Sequence, residues 1–261
     1  VLRRPDPQVL WRKSLKDEEW AKADATYART GTGSRWTKSK DIVEPWKIEL
    51  EGLTFSLSLL PSKHLGVFPE QVSSWVWLEQ KIKNELKNRK EVKVLNLFAY
   101  TGGATMAALK AGGEVVHLDA SKFAVDLAKK NIESSGLKDK KVRLMVDDVR
   151  KFVEREIKRG SAYDIILLDP PVYGKGSKGE SWKIENDLIP LILRLKNILS
   201  KKPIAVVLNG YASSYSGSTY ANTLSELSSS LGGGVSFGEL GIVESNSKRV
   251  LTAGIYARWE A

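Results

Sequence analysis

Two different hydrophobic periods follow each other along this 261-residue chain. In "WKIELEGLTFSLSLLPS", Trp46, Ile48 and Leu50 alternate with polar residues, and Phe55, Leu57 and Leu59 do so again. Glu51-Gly52 separates the two runs, which predicts a tight hairpin. From about residue 72 the period lengthens: Val72, Trp75, Leu78, Ile82 and Leu86 recur at helical spacing. Strands and helices then alternate. "VKVLNLF" is followed by a helix over 103–112, and "EVVHLD" by one over 121–135 that Gly136 can end. "KVRLMV" precedes a helix over 149–159, and "YDIILLD" one over about 184–200. "PIAVVLN" precedes a helix over about 219–231, and the β-rich runs "GVSFGELGIV" and "RVLTAGIYARW" close the chain without a helix between them.

This pattern predicts an α/β domain: a mostly parallel, Rossmann-like sheet covered on both faces, closing in an antiparallel edge hairpin. Residues 63–261 read as that domain, and residues 1–62 as a small β-containing N-terminal appendage.

Composition narrows the chemistry. There is no Cys, so neither a disulfide framework nor a thiolate zinc site is available. No run of about 18 apolar residues predicts a membrane helix, and no secretory signal is visible. A cytoplasmic protein fits these features. The formal net charge of +10 is spread along the chain. It suits a polyanionic partner such as RNA, and equally a generally basic enzyme.

In open parallel sheets ligands bind beyond the carboxyl ends of the strands, near the topological switch point. Here those ends read "NLFAYTGGAT", Asp119, Asp147-Asp148, and Asp169-Pro170-Pro171. Gly102 and Gly103 lack Cβ, which would let a ligand approach the backbone closely. Asp119 could accept hydrogen bonds from ribose hydroxyls, and Asp148 one from an adenine amino group. An adenosine-containing cofactor would satisfy these, whether NAD or S-adenosylmethionine. Two features separate them. Tyr100-Thr101-Gly102-Gly103 is not the G-x-G-x-x-G turn that cradles a pyrophosphate. The Asp-Pro-Pro exit removes backbone donors and stiffens the chain. It would leave rigid carbonyls for a substrate amine, with Tyr173 as a flat face for a planar ring. Each feature alone could be an ordinary cap, stop or packing residue; four in order point to a site.

"VLNLFAYTGGATMAALKAGGEVVHLDAS" together with "LLDPPVYGKG" resembles the class I S-adenosylmethionine-dependent methyltransferases, and within them the bacterial 23S ribosomal-RNA large-subunit branch. The resemblance covers roughly residues 45–261. It implies a seven-stranded sheet whose last strand is antiparallel, and an enzyme using S-adenosylmethionine. It also implies that Asn96, Phe98, Tyr100 and Gly102 line the methionine side, with Thr101 and Gly103 as neighbouring cofactor candidates. Asp119 with Ala120 would take the ribose, Asp147 or Asp148 the adenine, and Asp169, Pro170, Pro171 and Tyr173 the methyl acceptor. Phe68 and Gln71, in the segment before the sheet, are further cofactor candidates. Some members carry a separate RNA-binding module at the amino end. Residues 1–45 show no complete one, although Arg3, Arg4, Trp11, Arg12, Lys13, Arg35, Trp36 and Lys38 interleave basic and stacking groups as RNA binding would require. The alternative is a small domain that packs its Trp residues inward.

Methylating carbon 5 of cytosine normally needs covalent attack by a Cys thiolate. A chain without Cys is therefore expected to methylate a nitrogen, in RNA and most simply in ribosomal RNA. Lys175, Lys178 and Lys183, on the Gly-rich stretch after the exit, could contact phosphates or be merely solvated. His64 and His117 show no partner spacing. The same core acting on a protein or small molecule, and a non-catalytic binding module, remain open at this point.

Overall fold

The computed structural model describes residues 1–30, 33–61, 63–176, 179–211 and 215–261. In chain order the elements are β1 (Leu2–Arg3), α1 (Asp17–Ala21), β2 (Ala25–Thr30), β3 (Gly33–Lys38), β4 (Trp46–Leu50), β5 (Leu53–Leu57) and α2 (Val72–Glu85). They continue with β6 (Lys93–Leu97), α3 (Gly103–Lys110), β7 (Glu114–Asp119), α4 (Lys122–Ser134), β8 (Val142–Val146), α5 (Val149–Arg159) and β9 (Ile165–Leu168). Then come β10 (Tyr173–Lys175), β11 (Ser181–Lys183), α6 (Ile184–Leu195), β12 (Ala205–Gly210), α7 (Gly217–Leu231), β13 (Gly234–Val243) and β14 (Val250–Glu260).

The main sheet has seven strands in the order β13-β14-β12-β9-β6-β7-β8. The five from β12 to β8 run parallel, and β14 is antiparallel to both β12 and β13. The expected closing hairpin is present, with its last strand inserted inside the first. Strand order reverses between β6 and β9, so the crevice there is the switch point.

Alternation along each buried strand sorts the core into two layers. Leu95, Leu97, Ile166 and Leu168 pack with residues of α5, α6 and α7. Val94, Ile165, Leu167 and Val207 pack on the other face with residues of α2, α3 and α4.

The β4–β5 hairpin turns through Glu51 and Gly52, both at positive φ, as a two-residue primed turn requires. Its inward residues Leu53, Phe55 and Leu57 are buried in the second of those layers. Phe55 stacks on Trp75 of α2 at 5.4 Å between ring centroids. Side chains near the end of α4 satisfy the outer edge of β5: Ser56 N–H donates to Asn131 Oδ1 at 2.9 Å and Thr54 N–H to Ser135 Oγ at 2.9 Å. The hairpin thus shares the main core, and a division near residue 45 fits the packing better than one at 62. What precedes it is a three-stranded sheet in which β1 pairs parallel to β2, and β2 antiparallel to β3. The sequence pattern did not reveal these strands. Two Trp residues of this segment find partners within the protein. Trp36 donates its indole N–H to the Leu60 carbonyl at 2.9 Å, and Arg249 lies over the Trp11 ring.

Phe55→Ala removes a fully buried ring that ties the hairpin to α2. It is expected to cost about 3–5 kcal/mol. Urea unfolding followed by far-ultraviolet circular dichroism should show one cooperative transition at lower midpoint, not early loss of the hairpin alone.

Candidate active site

The turn after β6 sets the site. Phe98 and Tyr100 both have positive φ, 56° and 50°, although neither is Gly, and Gly102 follows at 91°. Left-handed backbone at a bulky residue is costly and persists only where the surroundings enforce it. They do so here. Tyr100 N–H donates to Asp119 Oδ2 at 2.9 Å, Thr101 Oγ1 donates to the Gly66 carbonyl at 2.7 Å, and Asn131 Nδ2 donates to the Thr101 carbonyl at 3.0 Å. The alternating backbone sends Phe98 and Tyr100 into an open cleft of about 710 Å³.

Five residues expected on the cofactor side, Gln71 among them, do not line that cleft. Asn96, Thr101, Gly102 and Gly103 line only a small inner cavity of about 50 Å³. Asn96 donates to Thr105 Oγ1, which pairs with His117 Nδ1, each at 2.9 Å. Burial holds that imidazole down to about 4, so it stays neutral. Thr101 is spent on fastening the turn. The glycines have a packing reason beside the one the sequence suggests. A Cβ on Gly103 would enter the Trp75 ring, and one on Gly102 would press on Ala128 of α4 at 3.2 Å. Packing alone already keeps both positions free of a side chain, and Trp75 leaves the start of α3 no open phosphate cradle.

Three largely buried acidic groups line the cleft: Asp119, Asp169 and Glu70. Among the described residues none of the three is in an ion pair, whereas Asp147 and Asp148 are. Burial raises the carboxyl pKa of each. Backbone N–H groups of Ser121, Tyr100 and Ala120 oppose this at Asp119. Asp169 goes furthest, up to about 7: burial drives it, the Gln71 hydrogen bond resists, and Glu70 and Asp119 add repulsion. The charges of Arg4 and Lys63 offset part of the rise at Glu70; such clustered perturbation marks a functional site, and buried acids outside ion pairs favour a cationic ligand. Among the described residues no group of three or more His, Asp or Glu could hold a metal ion.

The walls combine Phe68, Tyr100 and Tyr211, with Phe68 at 5.4 Å from Tyr100 and 4.9 Å from Tyr211 between centroids. Ala120, Asp147, Asp148, Pro170, Pro171 and Lys175 line the cleft as well. Asp148, expected to accept from adenine, instead caps α5. Its Oδ1 accepts from the backbone N–H groups of Arg150 and Lys151 at 3.0 and 3.2 Å, and its Oδ2 pairs with the Arg150 guanidinium. Asp147 pairs with Arg155.

The exit from β9 also differs in part from expectation. Among the described residues no donor reaches the carbonyls of Asp169 or Pro170, so these stay open. The Pro171 carbonyl is taken by the Trp182 indole N–H at 2.7 Å. Tyr173 does not cover the cleft. It lies on β10, where side chains alternate, and is 56% exposed on the outer face while Gly174 lines the cleft. The stretch expected as a loop pairs β10 with β11. Lys183 is exposed at the start of α6 and does not line the cleft. Lys178 lies outside the described residues.

Sequence reading missed Tyr211, Glu70 and the N-terminal residues Pro5 to Gln8, all of which line the cleft, and it named Arg4 only as an RNA contact and left Trp182 unplaced, although both line it too. Tyr211 directly follows β12, so the rule that located the other strand ends would have found it. Arg4 reaches the site through tertiary contact, its guanidinium donating to the Lys63 carbonyl at 3.1 Å; no local pattern announces that.

Comparison with known proteins agrees with this geometry. A family model described as S-adenosylmethionine-dependent methyltransferase matches residues 24–211. The crystal structure of a SAM-dependent methyltransferase from Agrobacterium tumefaciens is similar at a TM-score of 0.92 and 39% identity, over 99% of this chain and 84% of that one. Ribosomal RNA large subunit methyltransferase I from an Enterobacter species and from Escherichia coli are each 32% identical over 127 residues, 48% of this chain and 30% of theirs. The chain therefore matches under a third of the length of those curated relatives. A structure solved in complex with SAH shares the fold at 20% identity and a TM-score of 0.66.

The raised Asp169 pKa fixes a sign. The folded protein prefers the protonated acid, so this group's cost to stability begins above the unfolded carboxyl value near 4 and is complete above about 7. Asp169→Asn imitates the neutral form. Ligand-free melting temperatures should therefore be similar for the two proteins near pH 4–5, and higher for the variant at pH 8.

Proposed function

The chain belongs to the S-adenosylmethionine-dependent methyltransferase family, and we propose that it methylates a base nitrogen in RNA, with ribosomal RNA as the substrate. The carrying observation is the pairing, at one switch point, of three un-ion-paired acids with two open carbonyls beside Asp169. The acids suit a positively charged methyl donor. The carbonyls suit an acceptor that brings N–H groups.

The residues fit S-adenosylmethionine. Each oxygen of Asp119 already accepts one backbone N–H, from Tyr100 and from Ser121, which aims the carboxylate and leaves it capacity for ribose hydroxyls. Phe68, Tyr100 and Ala120 offer an apolar wall beside it. Asp147 and Asp148 border the adenine end more by backbone and shape than by free carboxylate oxygens. When bound, S-adenosylmethionine supplies an electrophilic methyl group. Asp169 and the Pro170 carbonyl would accept from an acceptor amine, orient its lone pair and stabilise its growing positive charge. The stiff prolines keep those oxygens in place without reorganisation.

The absence of Cys from the sequence supports a nitrogen acceptor, which needs no thiolate intermediate. RNA is supported by the net charge of +10 and by the ribosomal-RNA relatives. The small sheet before residue 45, with Arg4 at the cleft and Lys175 opposite, would supply phosphate contacts. A ribosomal substrate would place the protein in the cytoplasm; among the described residues no helix is long and apolar enough to cross a membrane.

Incubation with labelled S-adenosylmethionine and total RNA from a strain lacking the gene, followed by nucleoside mass spectrometry, should yield one N-methylated nucleoside. Label in 5-methylcytosine, or in protein instead of RNA, would overturn the reading. Asp119→Ala should weaken cofactor binding by about 100-fold in calorimetry, since it removes charge-assisted hydrogen bonds. Asp169 must be ionised to stabilise a cation, so S-adenosylmethionine should bind about tenfold more tightly at pH 8 than at pH 6. S-adenosylhomocysteine, which lacks the sulfonium charge, should show little of that dependence, and Asp169→Asn should abolish it.

A further inference from the structure

Gln71 is buried, and its amide nitrogen donates twice: to Asp169 Oδ2 at 2.6 Å and to the Tyr211 hydroxyl at 2.9 Å. The nitrogen and not the oxygen of the amide faces Asp169, the orientation that suits the ionised carboxylate, which can only accept. The second N–H then falls on the Tyr211 oxygen. A phenol that accepts from Gln71 still has its own proton to give. Among the described residues that proton has no acceptor. The ring has little freedom to turn away. Phe68 lies against it at 4.9 Å, and β14 passes beneath with Gly254, where a Cβ would come within 3.0 Å of Tyr211 Cε1. Tyr211 lines the same cleft as Asp169 and Pro170.

We propose that Tyr211 is a specificity-determining hydrogen-bond donor to the methyl acceptor, and that with the Asp169 and Pro170 oxygens it selects an exocyclic amine flanked by an unprotonated ring nitrogen. This rests on the RNA-base reading above and narrows it. The site presents acceptors next to a donor. Its complement is a donor next to an acceptor, which is the pattern of an amidine-like edge: the amino group with the neighbouring ring nitrogen of adenine, of cytosine, or of the N2–N3 side of guanine. Uracil has no amine to offer. A ring nitrogen that itself attacks the methyl group cannot also hold its lone pair in the Tyr211 hydrogen bond. Tyr173, being exposed, takes no part in this selection.

The test combines a variant with altered substrates. Tyr211→Phe keeps the ring and removes the donor. It should leave S-adenosylmethionine affinity unchanged in calorimetry and lower kcat/KM on total RNA from the deletion strain about tenfold, the size of one neutral hydrogen bond. The labelled product of the unaltered protein should be N6-methyladenosine, N4-methylcytidine or N2-methylguanosine. A synthetic RNA around the modified position, with the adjacent ring nitrogen replaced by C–H, should lose about the same factor, and Tyr211→Phe should cause no further loss on it. Methylation at a ring nitrogen or on uridine would overturn the inference and leave RNA methylation standing. So would an equal penalty of Tyr211→Phe on the ordinary and deaza RNAs. Absence of any RNA methylation by a protein that still binds S-adenosylmethionine would remove both.

Discussion

The site depends on a short piece of backbone that could not exist alone. Between Phe98 and Gly102 every second residue is left-handed, and two of the three are aromatic. What compensates is a ring of hydrogen bonds from three separate regions: the Asp119 carboxylate at the end of β7, the Gly66 carbonyl before α2, and the Asn131 amide on α4. Asn131 also accepts from Ser56 of β5, so the same side chain that holds the turn holds the hairpin edge. The strained turn is therefore a statement about the whole second layer of the fold. If that layer is correctly packed, Phe98 and Tyr100 point into the cleft; if it is not, the backbone has no reason to remain there.

The electrostatics of the cleft run against those of the molecule. The chain carries a formal charge of +10, yet its central cavity collects acids without ion-pair partners. A basic exterior and an acidic interior serve different ligands. Long-range attraction acts on a polyanion approaching from solvent, whereas burial acts on a compact cation already inside. The two do not compete, because salt and solvent screen the first far more than the second.

Sheet topology was legible because buried parallel strands are written as continuous apolar runs, and "IILL" or "AVVL" admit little else between turn signals. The strand-end acids were legible for the same reason: once the strands are placed, their last residues are placed too. Roles were harder to read. Gly102 and Gly103 look like a ligand-facing turn in sequence, yet the space beside them belongs to Ala128 and Trp75, which lie 26 and 28 residues away in opposite directions. Asp148 looks like a ligand group and is a helix cap with an Arg two residues on. Tyr173 follows the Pro-Pro exit closely enough to be expected over the acceptor, but a three-residue strand pairing with β11 turns it outward. In each case sequence supplied the position, and only packing decided which neighbour the side chain met.

The inserted position of β14 has a consequence for the order in which the molecule can be completed. β13 is made before β14 but joins the sheet only through it, and β12 likewise has an unpaired edge until β14 arrives. While the ribosome is still adding residues 244–250, five parallel strands can be assembled with their apolar flank open to the surroundings. Leu251 and Ala253 of the cleft wall, and Gly254 under Tyr211, are still to be added. Such an edge invites association with other nascent strands, and the hazard ends only when β14 slides between two already synthesised strands. The wall of the cleft is thus completed only with β14, although its acids are made much earlier.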